Sequence, residues 1–288
     1  LLCAAGCDNK MPTSDVQSEI IVSADETSEP SFPVNCCGAR LEKAVEKAVC
    51  LSPAAAEIVF ELGFWDNIVG VSVYCDYPEG LAAKKVGSAE NPDIDAIIAL
   101  KPDAVFTLSP LSERDTYALN EANIAVLEAK PPVDMEGYSA LYREIATAFY
   151  GKEKAVGEKG DLKAVQIAAS ARSELEKAAK TVSLESFVYV TEKLTIAGGG
   201  TFEGAVLSLS GKNLCTESGY VSTENLPEEA PKYIIASDAL TTEKINSNSV
   251  LYSYVYSGAE VKFVSSAYFE RPSARTAKIF EQINSDSE

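Results

Sequence analysis

The fold of this chain is decided by residues 50–106, which read CLSPAAAEIVFELGFWDNIVGVSVYCDYPEGLAAKKVGSAENPDIDAIIALKPDAVF. An apolar run at 48–51 is predicted to be a short buried strand. Ser52 and Pro53 follow it and favour the start of a helix, because the hydroxyl can cap the first turn and the ring is preset for the first helical position. Apolar residues then recur at helical spacing up to Gly63, which can adopt the left-handed backbone that ends a helix.

The same alternation continues through the stretch. Residues 68–74 are predicted to form a second strand, Pro92 and Asp93 to open a second helix, and 104–107 to form a third strand. Strands that alternate with helices of this length form parallel sheets, which bind ligands at the carboxyl ends of their strands. Those ends carry Ser52, residues 74–78 and residues 108–113.

The rest of the chain is predicted to complete two lobes. A run rich in Ala, Leu, Glu and Lys at 164–180 keeps helical spacing and predicts one helix of about six or seven turns, if it begins near Glu153. Further strands are predicted at 123–127, 187–191, 233–236 and 261–264, and further helices at 138–149, 202–209 and 272–283. The predicted divisions are a signal remnant and tether at 1–35, an N-terminal α/β lobe at 36–150, a connecting helix at 151–181 and a C-terminal α/β lobe at 182–288.

The composition is typical of a soluble globular protein. The chain has 288 residues, 46% of them hydrophobic, and can bury the cores of two lobes. Its formal net charge of −18 argues against a nucleic-acid partner. No stretch approaches the roughly 20 apolar residues that cross a bilayer. The sequence contains no histidine, which excludes Ser-His-Asp and Cys-His catalysis and histidine-based zinc sites.

The first residues, LLCAAGC, resemble the end of a bacterial lipoprotein signal peptide with Cys7 as the lipidated residue. The charged part of such a signal and most of its apolar part would precede this sequence. Residues 8–35 are rich in Ser, Asp, Glu, Thr and Pro, a composition typical of a flexible tether. We therefore expect a protein that is lipid-anchored to the outer face of the bacterial cell membrane.

No catalytic residue, metal site or cofactor is predicted. The AGGGT loop at 197–201 matches neither the dinucleotide fingerprint nor the P-loop, so a tight turn is favoured over a phosphate site. Carboxylates near a helix start, such as Asp93 and Asp95, favour capping over catalysis. Hydrolysis by two carboxylates stays open, although no pair is singled out.

The cysteines that would remain in the mature protein are odd in number, so no disulfide pairing is assigned. A metal or redox role for the adjacent pair is weaker than the interpretation of buried, unreactive thiols, because there is no C-x-x-C and no histidine. The cysteines concerned are Cys36, Cys37, Cys50, Cys75 and Cys215.

Tyrosines near the predicted strand ends indicate a binding surface. Tyr74 and Tyr77 flank one strand end, Tyr220 lies in a loop, and Tyr268 and Arg271 lie between the last strand and the last helix. A tyrosine offers a flat apolar face and a hydroxyl, which suits a large, planar, partly polar ligand. The alternative is that these rings simply pack under loops.

Four blocks of sequence, LSPAAAEIVFELG, GVSVYCDYPE, IIALKPDAVF and SAYFERPSART, resemble the substrate-binding proteins of ABC importers for cobalamin and iron chelates, the cobalamin binders most closely. The resemblance covers about residues 46–285. It implies two Rossmann-like α/β lobes with parallel sheets, joined by a single long backbone helix, with the ligand in the cleft between them. It also implies a transported ligand in place of a cofactor, and a permease with its ATPase as partners.

The resemblance also implies roles for individual residues. Glu113 in LSERD and Glu224 in VSTEN stand where family members dock one glutamate per lobe onto arginines of the permease, an arrangement that gives register and orientation. The resemblance also implies that the positions that form the ligand pocket of the cobalamin binders are occupied here by Tyr74 or Tyr77, by Tyr220, by Tyr268 and by Arg271.

Departures from the cobalamin pattern keep other ligands open. Leu108 and Tyr220 stand where a cobalamin binder has tryptophan, and the single tryptophan, Trp65, lies near the end of the first helix. Haem is one alternative, since haem binders can use a tyrosine near the Tyr77 position. A ferric siderophore is another, with Arg271 pairing an anionic chelate. The expected protein is a monomeric solute-binding lipoprotein, and the alternatives from other classes are a two-lobed exported enzyme and an adhesion or scaffold module.

Overall fold

The structure is a computed structural model that describes residues 30–153 and 162–285. The described chain forms two α/β lobes, each built around its own sheet, which confirms the predicted fold class. The proposed lipidation residue Cys7 and most of the predicted tether lie outside the described residues. Within the described ranges, no helix combines the length and the apolar character needed to span a bilayer.

The N-terminal sheet has five strands, all parallel, and its central strand is buried along its whole length. In spatial order the strands are Lys84–Lys85, Ile68–Val71, Ala48–Cys50, Ala104–Thr107 and Ala125–Glu128. A small antiparallel hairpin, Val34–Cys36 with Ala39–Leu41, lies beside this sheet.

The helices of the N-terminal lobe are Pro53–Glu61, Ile94–Leu100, Glu113–Glu121 and Met135–Tyr150, with a 3-10 turn at Trp65–Asn67. Asp93 caps the second of these helices, because its carboxylate accepts a hydrogen bond from the backbone N–H of Ala96. Ser52 occupies the cap position of the first helix but makes no capping hydrogen bond with its side chain. The predicted hydroxyl cap is therefore wrong, and Pro53 alone supplies the start signal.

The long helix runs over Leu162–Ala179, which is about five turns. Lys152–Glu153 does not open this helix but pairs with Pro30–Ser31 as a short antiparallel strand, and residues 154–161 lie outside the described residues. The buried face of the helix packs against Met135–Tyr150 and against the 3-10 segment Ala274–Ala277. It therefore contacts elements of both lobes.

The C-terminal sheet is mixed. Its strands, in spatial order, are Tyr220–Ser222, Thr195–Ala197, Glu185–Val190, Tyr233–Ser237 and Glu260–Val264, with Gly211–Asn213 also paired to the central strand. All neighbours are parallel except Thr195–Ala197, which runs antiparallel to both strands beside it. The reversal has a local cause, since the backbone between Thr191 and Thr195 closes a tight hairpin with Leu194 at a positive φ of 58°.

The helices of the C-terminal lobe are Phe202–Leu207, Thr242–Asn246, Ser249–Tyr256, Ala267–Glu270 and Lys278–Ser285, with 3-10 turns at Thr223–Asn225 and Ala274–Ala277. The predicted terminal helix over 272–283 is thus divided into a 3-10 turn and an α-helix. Ser273 sets the start of the 3-10 turn, because it caps that turn through a reciprocal pair of hydrogen bonds with Thr276.

Candidate functional site

A cavity of about 520 Å³ lies between the two lobes. The N-terminal lobe lines it at the carboxyl ends of its parallel strands, as expected for such a sheet, and the C-terminal lobe lines it with one loop, one tyrosine and the segment after its last strand. The main contributions are Ser52, Tyr74 and residues 107–109 from the first lobe, and residues 200–203, Tyr220 and residues 269–270 from the second.

A wider groove of about 1460 Å³ lies beside the hairpin of the N-terminal lobe. Its lining is largely polar and charged, including Arg40, Glu42, Lys130 and Arg143, and it comes from one lobe only. The interlobe cavity is the better candidate site because both lobes contribute to it and because it lies at the strand ends.

Two of the predicted tyrosines meet at the interlobe cavity. Tyr74 comes from the first lobe and is 63% exposed, and Tyr220 comes from the second lobe and is 56% exposed. The hydroxyl of Tyr220 donates to both carboxylate oxygens of Glu203, at 2.8 and 2.9 Å. Burial and the nearby Glu203 carboxylate raise the pKa of Tyr220, so its hydroxyl remains a hydrogen-bond donor.

The other three predicted pocket residues, Tyr77, Tyr268 and Arg271, are not among the residues that line the cavity and instead lie near the contact between the lobes. Arg271 forms an ion pair with Asp76 and donates to the carbonyl oxygen of Tyr74 at 3.2 Å. The ring of Tyr77 lies under the guanidinium of Arg275, at 4.5 Å, and Tyr268 lies 5.6 Å from the same group. The residues next to Tyr268 and Arg271, namely Phe269, Glu270 and Pro272, line the cavity in their place.

The contact between the lobes is built around a buried carboxylate. Glu57, in the first helix, is 1% exposed and accepts hydrogen bonds from the Ser273 hydroxyl at 2.6 Å and from Arg275 at 2.8 Å. Burial raises the pKa of Glu57, while the bond from Ser273 and the charge of Arg275 oppose that rise. The sequence does not reveal that these two residues pair, because they are 218 residues apart. They lie in two of the blocks that carry the resemblance, Glu57 in LSPAAAEIVFELG and Arg275 in SAYFERPSART.

A second carboxylate of the same helix supports this contact. Glu61 accepts hydrogen bonds from the hydroxyl of Tyr142 and from the backbone N–H of Ala274, the latter at 3.2 Å. Burial raises the pKa of Glu61 to about 7, although both hydrogen bonds favour the ionised form. The protonation of this group therefore changes near neutral pH.

The two glutamates predicted to dock the permease are both exposed, on separate lobes. Glu113 is the first residue of its helix and follows the cap Ser112, and Glu224 lies in a 3-10 turn that follows the cap Ser222. The helix and the 3-10 turn each follow the carboxyl end of a strand of their own sheet.

The structure also shows the surroundings of the cysteines and of the AGGGT loop. The described cysteines, Cys36, Cys37, Cys50, Cys75 and Cys215, are buried, and none of them forms a disulfide within the described part of the chain. The AGGGT loop bonds through its backbone to residues 217 and 219, and the Thr201 hydroxyl caps the helix that follows. Among the described residues, no cluster of acidic, cysteine or histidine side chains is suited to a metal ion.

Comparison with known proteins agrees with this architecture. Residues 48–253 match the family model described as periplasmic binding protein. A relative from Bacillus subtilis (strain 168), the uncharacterized ABC transporter substrate-binding lipoprotein YvrC, is 26% identical over 262 residues, which cover 84% of this chain and 78% of that protein. The vitamin B12-binding protein of Pectobacterium atrosepticum is 26% identical over 248 residues, covering 83% of this chain and 87% of that protein.

A solved structure shares the fold. The crystal structure of a possible iron-binding (periplasmic solute-binding) protein from Staphylococcus epidermidis superposes with a TM-score of 0.67 at 20% identity, covering 85% of this chain and 99% of the other. The family model alone spans most of both lobes and the helix between them. The chain belongs to the periplasmic binding protein family.

Proposed function

We propose that this protein is the substrate-binding component of an ABC importer, and that it captures cobalamin or a related corrinoid between its lobes and delivers it to a permease and its ATPase. The observation that carries the proposal is the interlobe cavity. Its volume of about 520 Å³ lies in the usual range of small-molecule sites, and tyrosines from both lobes reach it half-exposed. Flat rings with a polar tip suit a planar, partly polar ligand.

The relatives support this role and leave the ligand to be tested. Family membership favours solute binding over catalysis, and one relative is named for vitamin B12. A ferric siderophore or haem in the same transport role is the nearest alternative. A two-lobed exported enzyme is the alternative from another class, and it predicts chemical conversion of the bound ligand.

The test is calorimetric titration of the full chain with cyanocobalamin, haemin and a ferric hydroxamate. The proposal predicts one-to-one binding of cyanocobalamin and recovery of the ligand unchanged. Tyr74→Ala and Tyr220→Ala should weaken binding. Tyr256→Ala is the matched control, because Tyr256 is 84% exposed on a helix away from the cavity.

Binding of haemin or the ferric hydroxamate alone would keep the transport role and replace the ligand. No binding of any of the three, or conversion of the ligand, would contradict the proposal.

Docking on the permease is proposed to use Glu113 and Glu224. Exposed carboxylates on separate lobes can pair with two permease arginines at once, which fixes the orientation of the complex. A Glu113→Arg, Glu224→Arg double variant should abolish uptake and leave ligand binding intact. Glu121→Arg reverses a charge on the same helix as Glu113 and should leave uptake unchanged. Normal uptake by the double variant would exclude this docking mode.

The lipid anchor is proposed at Cys7, ahead of the Ser- and Asp-rich tether. Cys7→Ser should move the protein from the membrane fraction to the soluble extracytoplasmic fraction, and Cys3→Ser should leave it in the membrane fraction. Membrane association of both variants would exclude Cys7 as the anchor. Once anchored, the protein is expected to act as a monomer.

A further inference from the structure

All the charged side chains that line the interlobe cavity are acidic. They are Glu90 from the first lobe and Glu203 and Glu270 from the second, and the described lining contains no lysine or arginine. The carboxylates therefore face the cavity from both lobes, as part of the same wall that carries the two half-exposed tyrosines.

Cations on segments close to the lining residues are engaged elsewhere. Arg271 pairs with Asp76, and Arg275 pairs with the buried Glu57. The ammonium group of Lys85 donates to the carbonyl oxygens of residues 72 and 75. Lys130 is adjacent in sequence to the cavity wall but lines the separate groove of the N-terminal lobe. A ligand in the interlobe cavity thus meets carboxylates whose charge no lining cation offsets.

The carboxylates of the cavity keep capacity to accept hydrogen bonds. Glu203 accepts from the hydroxyl of Tyr220, and Glu270 accepts at one oxygen from the hydroxyl of Ser266 at 3.2 Å. None of the salt bridges between described residues involves Glu90, Glu203 or Glu270. An ionised carboxyl group accepts hydrogen bonds and cannot donate them, so this wall is matched to ligands that present N–H or O–H groups.

We propose that the interlobe cavity selects neutral or cationic ligands that carry peripheral hydrogen-bond donors, and that it rejects chelates with a net negative charge. The inference rests on the proposed function, since it specifies the ligand class of the same cavity. An amide-bearing corrinoid or a cationic hydroxamate chelate fits this wall. Haem with its propionates and an anionic siderophore place like charges against Glu90, Glu203 and Glu270, and such contacts are repulsive.

The size of the effect follows from Coulomb's law. A carboxylate several ångströms from one ligand charge, in surroundings between protein and water, changes affinity by roughly a factor of ten, and salt reduces the change. We therefore expect an anionic ligand to bind at least about tenfold more weakly than its neutral counterpart at low ionic strength.

The experiment compares pairs of closely related ligands in which one member carries additional carboxylate charge. The pairs are cyanocobalamin with its monocarboxylic acid, N-acetyl-ferrioxamine B with N-succinyl-ferrioxamine B, and the dimethyl ester of haemin with haemin itself. In whichever pair binds, the anionic member should bind more weakly, and added salt should reduce the difference in affinity between the two members. Glu203→Gln and Glu270→Gln should also reduce this difference in affinity. Glu121→Gln, which removes a charge outside the cavity, should leave it unchanged.

Equal or tighter binding of the anionic member would overturn this inference and leave the proposed transport role standing. If a glutamine variant fails to fold, the salt dependence of binding to the unmodified protein still tests the inference. A difference in affinity between the neutral and anionic ligands that salt does not reduce would overturn it. Absence of binding for every pair would overturn the proposed function together with the inference, so the two failures are distinguishable.

Discussion

Arg275→Met is expected to destabilise the protein by about 3 kcal/mol, because it leaves the carboxylate of Glu57 buried between the lobes without its charge partner. Breaking a buried ion pair from one side costs roughly 3–5 kcal/mol. The lower end applies here, since the side chain of Arg275 is 22% exposed and the hydroxyl of Ser273 still donates to Glu57 in the variant.

The same variant should show a characteristic pH dependence. Burial already raises the pKa of Glu57, and removing Arg275 raises it further, so the folded variant binds a proton that the unfolded chain releases at lower pH. A raised carboxyl pKa stabilises the folded state below the unfolded pKa and loses that contribution as the pH rises. The penalty of Arg275→Met should therefore be smaller near pH 5 than near pH 8.

Urea denaturation of the full chain, followed by fluorescence and circular dichroism, measures how much Arg275→Met lowers the free energy of unfolding. The matched control is Arg143→Met, whose partner Glu136 lies at the same 2.8 Å but at the surface, where such pairs contribute about 0–1 kcal/mol. A Glu57→Met, Arg275→Met double variant should be more stable than Arg275→Met alone. Equal penalties for the two arginine variants would refute the reasoning.

Three further predictions concern stability. A carboxyl group with a folded pKa near 7 stabilises the protein at low pH and loses that contribution between about pH 4.5 and pH 7. Glu61→Gln should therefore remove this decrease in the free energy of unfolding, and an unchanged pH profile in urea melts would contradict the prediction. Gly198→Ala should cost roughly 1–3 kcal/mol, since a Cβ there lies 2.1 Å from a backbone carbonyl oxygen, whereas Gly199→Ala meets only contacts of 3.6 Å. Leu175→Ala should cost about 2–5 kcal/mol and the exposed Val165→Ala less than about 1 kcal/mol, both by urea denaturation.

Elements with strong local signals were predicted from the sequence. Ala104–Thr107 is a fully buried strand with apolar and β-branched residues between a proline and a polar loop, and its predicted and observed limits agree. The helix Ile94–Leu100 was predicted from Pro92 and Asp93, and the Asp93 carboxylate does cap it. In both cases the determining interactions lie within a few residues of each other.

Of the helices that the sequence analysis did not predict, the two longest were missed for opposite reasons. Glu113–Glu121 is polar on nearly all sides and buries only Leu119, so it lacks an apolar stripe. Ser249–Tyr256 is rich in valine and tyrosine, a composition that favours strands. Its helical start is set by Asn248, whose side chain accepts hydrogen bonds from the N–H groups of Val250 and Leu251.

Only the part of the candidate site that lies at the ends of strands was predicted from the sequence. Tyr74 follows a strand of the first sheet and does line the cavity. Residues 267–270 form a helical turn, in which Phe269 and Glu270 line the cavity while Tyr268 contacts Arg275. Within that turn, Phe269 packs against the ring of Tyr189, and the carbonyl oxygen of Tyr268 accepts a hydrogen bond from Thr276. A sequence pattern does not contain these tertiary contacts.

The measurement that tests the proposed binding of a corrinoid between the lobes most directly is a crystal structure of the full chain grown with cyanocobalamin. We expect electron density for one ligand in the interlobe cavity, in contact with both Tyr74 and Tyr220. Density in the groove beside the N-terminal hairpin, or an empty cavity at a saturating ligand concentration, would contradict the proposal.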